Sequence, residues 1–138
     1  MDRRTFFLTS AASLGLTSTP ILASPLTYTP NLHREHLNNG ETVILFFKAS
    51  WSGTCAAQEE VLETLKSQDP SYEQNITFID IDWDTYGPSV MADRMKITRR
   101  STLVVLKGKR EITRLVADTS ERNIKKLLDS ALNAARNG

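Results

Sequence analysis

The stretch from Val43 to Glu60 constrains this chain more than any other. It opens on an unbroken apolar run, Val43-Ile44-Leu45-Phe46-Phe47, continues through Lys48 and Ala49 into the turn Ser50-Trp51-Ser52-Gly53, and then reaches Thr54 and Cys55, the only cysteine in the sequence. A continuous β-branched and aromatic run fits a strand buried on both faces, as in a sheet covered by helices. After the turn the pattern becomes helical. Ser52 is a natural N-cap whose hydroxyl can accept from the backbone of Thr54 or Cys55, and the spacing predicts a helix from Gly53 to about Lys66 with Val61, Leu62 and Leu65 facing the core. Cys55 falls in the first turn of that helix, where the positive end of the helix dipole favours a thiolate. A lone cysteine forms no internal disulfide, so any disulfide through Cys55 is intermolecular.

The remaining elements follow from periodicity and punctuation. Ser24 to Pro30 reads as a linker. Thr29-Pro30 reads as the cap and first position of a short helix ended by Asn39-Gly40. His33 and His36 lie three apart on it and are expected on a solvated face, since no further ligand for a metal is visible nearby. Gln68-Asp69-Pro70-Ser71 breaks the helix that starts at Gly53. Asn75 to Asp82 reads as a second strand, and Asp80, Asp82 and Asp84 as its polar end. A calcium loop would need a glycine and a terminal glutamate that are absent. Gly87-Pro88 opens a short helix running through Met95. Thr102 to Leu106 and Glu111 to Val116 read as a hairpin turning at Lys107-Gly108-Lys109. Asp118-Thr119-Ser120-Glu121 reads as a capping box before a last helix with Ile124, Leu127, Leu128, Ala131 and Leu132 on one face. The expected architecture is α/β, a central mixed sheet of about four strands flanked by helices.

This element order, together with Trp51-Ser52-Gly53-Thr54-Cys55 and the Arg100-Ser101-Thr102-Leu103 approach to a strand, resembles the thioredoxin family over about residues 28–135. The resemblance implies the thioredoxin-like fold and a thiol–disulfide site at this helix start. It implies catalytic positions at Ser52 and Cys55, and substrate contacts at Trp51, Gly53, Thr54, Arg100, Ser101 and Thr102. The chain departs from the family pattern at three of its positions. Ser52 stands where the attacking cysteine belongs, and a serine hydroxyl with no adjacent base is no substitute. Ser101 stands where the family carries a cis-proline, and a cis bond before a non-proline costs roughly 3 kcal/mol, so a trans bond is expected. Phe46 stands where the family keeps a buried acid. Arg100 is expected in the loop beside Cys55, where a guanidinium either steadies a thiolate or is solvated; Arg99 is expected to be solvated.

At the N-terminus, Arg3-Arg4-Thr5-Phe6 precedes a mild apolar segment and the small residues before Ser24. This resembles a twin-arginine signal. The expected division is a signal peptide at 1–23 and a thioredoxin-like domain at 24–138, with a periplasmic location. The sequence has 138 residues, which suits one domain. Its formal net charge is +1 and no basic stripe appears in it, so a nucleic-acid partner has no electrostatic footprint. No apolar run reads as a stable membrane span. No cofactor and no metal are expected.

Three functions compete at this stage. In the first, Cys55 forms mixed disulfides with client protein thiols or disulfides, with an envelope thiol reductant as a further partner, and lacks a partner for internal release. In the second, the chain is a redox-inactive, chaperone-like module that holds an extended peptide around Trp51, Ser52 and Arg100 to Thr102, with Cys55 buried and inert. The third is a one-cysteine peroxide reductase. Ser52-Gly53-Thr54-Cys55 with Arg100 resembles in outline the Thr-x-x-Cys and arginine of peroxiredoxins, although Lys48 occupies the position of their upstream proline. Burial of Cys55 separates the second from the other two.

Overall fold

A computed structural model describes residues 24–137. The signal segment expected at 1–23 lies outside the described residues.

The elements in chain order are β1 (Leu26–Thr27), α1 (Leu32–Asn38), β2 (Thr42–Lys48), α2 (Gly53–Gln68), α3 (Ser71–Asn75), β3 (Ile76–Asp82), α4 (Trp83–Tyr86), α5 (Val90–Arg94), β4 (Thr102–Lys107), β5 (Arg110–Val116) and α6 (Glu121–Asn137). They form one sheet in the order β1-β3-β2-β4-β5. β1, β3 and β2 run parallel, and β4 and β5 are antiparallel additions on the other side of β2. The sheet is mixed and flanked by helices as expected, with five strands rather than four. The extra strand is β1, in the stretch read as a linker. Leu26 and Thr27 pair with Ile79 and Asp80, and two residues are too few to show a period.

β2 is central because it is apolar on both faces. Successive side chains alternate across a strand. Ile44 and Phe46 join Cys55, Leu62, Leu65, Leu103, Ile124 and Leu128 on the α2 and α6 side. Val43, Leu45 and Phe47 join Tyr28, Ile79, Ile81, Ala92 and Val104 on the side of α1 and α5. A core on each face explains why β2 reads as a run and not as an alternation. The apolar side of α6, Ile124-Leu127-Leu128-Ala131-Leu132, seals the first core, with the Ser120 hydroxyl accepting from Asn123 N at 3.1 Å to start the helix.

Other boundaries differ from expectation. α1 begins after Asn31, which takes a left-handed conformation (φ 72°); Thr29 instead closes a turn, its carbonyl accepting from Leu32 N. His33 is not solvated. It is buried against the Tyr28 ring, and that burial, aided by the Arg34 charge, holds its pKa below the ordinary value. His36 lies 2.8 Å from Glu41 Oε1. The helix expected from Gly87 to Met95 is shorter, α5 from Val90, because the Ser89 hydroxyl caps its start by accepting from Ala92 N; α4 is an additional turn before Gly87, where the Asp82 carboxylate accepts from Thr85 N. The three alternate aspartates go to three different partners. Asp80 pairs with Lys48 at 3.1 Å, Asp82 caps α4, and Asp84 accepts from Trp51. No helix among the described residues is long and apolar enough to cross a membrane.

Candidate functional site

The site lies where β2 ends, α2 begins and the loop before β4 returns. The β2–β4 register, Phe47 opposite Thr102 and Phe46 opposite Leu103, brings Ser101 to the end of β2. Ser101 N donates to Phe47 O at 2.7 Å and locks the loop there.

Ser52 is the N-cap of α2. Its backbone is extended, and its hydroxyl accepts from Cys55 N at 3.2 Å. Its own N–H donates to Ala49 O, so this buried serine is committed to the turn. The Cys55 side chain points inward and is 3 % exposed. Its Sγ accepts from Ala49 N at 3.4 Å and lies 3.1 Å from Ser101 Oγ.

Ser101 is fully buried and adopts φ 64°, a left-handed conformation costly for a non-glycine residue. Four contacts hold it. Besides the bond to Phe47 and the contact with Cys55, its carbonyl accepts from Ala117 N at 2.8 Å and from Gln58 Nε2 at 3.0 Å. The described residues contain no cis peptide bond, so Arg100–Ser101 is trans. Gln58 Nε2 also donates to Asp118 O at 3.1 Å. One buried amide thereby ties α2 to the loops before β4 and after β5. The opposite amide orientation would set Gln58 Oε1 against two carbonyls, which fixes the assignment and leaves Oε1 without a partner among the described residues.

Trp51 is placed in the opposite way. It is 62 % exposed, yet its Nε1 donates to the Asp84 carboxylate at 3.0 and 3.2 Å. The Arg100 guanidinium lies over its ring, 5.0 Å from the centroid. Arg100 thus packs on the indole, a contact the sequence did not indicate, and its Nε is buried without a partner among the described residues. Arg99 is exposed as expected and supplies the carbonyl that accepts from the buried Thr102 hydroxyl at 2.8 Å. Gly53 is exposed and Thr54 is half-buried at the helix start.

Phe46 is buried in the α2-side core. The charges nearby sit one strand over and two residues on. Lys48 Nζ meets Glu59 at 2.7 Å and Asp80 at 3.1 Å. Burial raises the Asp80 pKa, with Lys48 opposing the shift. Burial also works against the Lys48 ammonium, but Glu59 and Asp80 outweigh it and hold its pKa above the ordinary value.

Sequence reasoning singled out Ser52, Cys55 and Ser101, and these three meet. It missed Gln58, Ala117 and Asp84. Gln58 had a signal, a polar residue on the apolar stripe shared by Cys55, Leu62 and Leu65. Ala117 and Asp84 had none, because their contacts depend on tertiary placement.

The family model described as Thioredoxin matches residues 24–130. A putative thioredoxin-4 of Dictyostelium discoideum is 30% identical over 101 residues, covering 72% of this chain and 89% of that protein. Among solved structures, Trxlp from Edwardsiella tarda superposes with a TM-score of 0.67 at 21% identity, covering 76% of this chain and 98% of its own. The Malassezia sympodialis thioredoxin superposes at 0.61 with 18% identity, covering 81% and 97%. The structural likenesses establish the fold, and the sequence matches establish descent: this chain belongs to the thioredoxin family, the scaffold of thiol–disulfide oxidoreductases.

Proposed function

We propose that this thioredoxin-family protein is an exported binding module, which holds an extended client polypeptide against Trp51 and the Arg100–Thr102 loop and keeps Cys55 out of thiol exchange while folded. The observation that carries the reading is a contrast within one turn: Trp51 is 62 % exposed and Cys55 is 3 % exposed. An indole held by Asp84 and Arg100 is a preorganised anchor. It presents a large apolar face without a further ordering cost on binding. The thiol beneath it has its contacts filled by Ala49 and Ser101. Export rests on the Arg3-Arg4-Thr5-Phe6 motif in residues 1–23, and with it the periplasmic location.

The competing reading, a mixed disulfide between Cys55 and a client thiol, requires the Cys55–Ser101 contact to open first. Peroxide reduction through Cys55 meets the same barrier. The test is a titration with reduced, carboxymethylated α-lactalbumin, an unfolded chain with no free thiol, read by tryptophan fluorescence and by anisotropy of the labelled client. Saturable binding that weakens about tenfold or more in Trp51→Ala is the expected result, since a central aromatic anchor is typically worth 2 kcal/mol or more. Binding untouched by Trp51→Ala, or none, contradicts the proposal. Incubation with glutathione disulfide addresses the competing reading: rapid glutathionylation of the folded protein favours it.

A further inference from the structure

At the opposite end of the sheet from Cys55, a groove with about 1230 Å³ of open space lies among α1, the end of α5 and the β4–β5 hairpin. Its wall carries Arg34, Arg94, Lys96, Lys109 and Arg114 against a single carboxylate, Glu111. That carboxylate is already neutralised, because Arg114 grips it through Nε and Nη2 at 2.6 and 2.7 Å. Arg114 in turn closes the end of α5 by donating to Met95 O and Lys96 O. The other four cations have no carboxylate within 4 Å among the described residues. Residues 24–138 contain as many acidic as basic residues, so this is a local excess in a chain that is otherwise balanced. Leu37 and Leu106 add apolar surface to the same groove.

We propose that this groove is a second interaction surface, independent of the Trp51 end, and that it takes an acidic polypeptide segment with interspersed apolar side chains. Cations contributed by three separate elements around a concavity suit a strand-like ligand that enters it, with carboxylates meeting the wall and apolar side chains meeting Leu37 and Leu106. A flat anionic bilayer would reach only the rim. The α6 surface is the internal contrast. Arg122, Lys125 and Lys126 also cluster there, but on one helix, and Lys125 is paired with Asp129 at 2.8 Å.

The experiment uses the protein without residues 1–23 and a fluorescein-labelled peptide of glutamates interrupted by leucines, followed by anisotropy at two salt concentrations. A variant carrying Arg34→Glu, Arg94→Glu and Lys109→Glu is compared with a charge-matched control carrying Arg122→Glu, Lys126→Glu and Arg136→Glu; Lys109→Glu alone, at an exposed turn, serves if the groove variant fails to fold by circular dichroism. The expected result is salt-sensitive binding that the groove variant weakens by about tenfold or more and the α6 control leaves nearly unchanged. For Lys109→Glu alone, a smaller loss absent from Lys126→Glu is expected. Equal losses in groove and control variants, no binding, or binding to phosphatidylglycerol vesicles with none to the peptide overturns the proposal.

Discussion

The two ends of the central sheet use their polar groups in opposite ways. At the Cys55 end, hydrogen-bonding capacity is turned inward. Ser52 caps its own helix, Ser101 binds Phe47 and Ala117, and Gln58 bridges two loops. At the hairpin end, four cations stand around a groove without an ion-pair partner among the described residues, its one carboxylate, Glu111, being held by Arg114. The difference shows that a family's active-site position need not be its most available surface. At this turn Ser52 caps the helix and Cys55 is buried. On the proposed reading, recognition falls to the exposed Trp51 and to the basic groove.

Substitutions at the closed end test that contrast hardest. Ser101→Pro restores the family's residue type but not its setting. The ring fixes φ near −65° and removes the N–H that bonds Phe47 O, while the site requires φ 64°. The expected loss is about 3 kcal/mol or more, read by urea unfolding; an unchanged midpoint would show that the loop rearranges freely. Gln58→Leu comes next, with an expected loss of about 1–3 kcal/mol. It strips a donor from Ser101 O and Asp118 O, offset in part by removal of the unpartnered Oε1. Faster labelling of Cys55 should accompany it, and stability lost without faster labelling would separate Gln58 from control of the thiol. Ser52→Ala removes only the cap and should cost about 1 kcal/mol. A far larger loss would give Ser52 a role beyond the helix start.

The smallest effect belongs to the open end and appears as a pH dependence. Burial, and then the Arg34 charge, hold the His33 imidazole below its ordinary pKa of 6.5. As pH falls below that value the unfolded chain takes up the proton first, so the contribution present above it is lost as pH approaches the folded value. Stability should decline from pH 7 downward in this range, and His33→Phe, which keeps a ring against Tyr28, should flatten that part of the curve. An unchanged slope would assign the pH dependence to other groups.

Much of this arrangement was legible before the structure. The apolar run at β2, the cap at Ser52, the hairpin around Gly108 and the apolar face of α6 are local patterns, and each is dictated by burial or backbone chemistry within a few residues. The meeting of Cys55 with Ser101 also followed, because the thioredoxin resemblance implied that the loop at Ser101 faces the start of this helix. What stayed hidden depends on distant partners. Arg100 could not be assigned to Trp51 without the position of Asp84, which holds the indole by its Nε1. His33 looked solvated because its helix is short and mostly polar, and its burial beside the Tyr28 ring depends on tertiary packing. The basic groove was invisible because its cations come from three separated segments and the overall charge is balanced.

The most direct measurement is the rate of Cys55 alkylation by iodoacetamide in the folded protein lacking residues 1–23, from pH 7 to 9, set against the rate in denaturant. With Cys55 buried and in contact with Ser101, labelling should be slow, limited by opening, and rescued to the rate of a free thiol on unfolding. Labelling of the folded protein at the free-thiol rate or faster would contradict the sheltered thiol and return Cys55 to exchange chemistry.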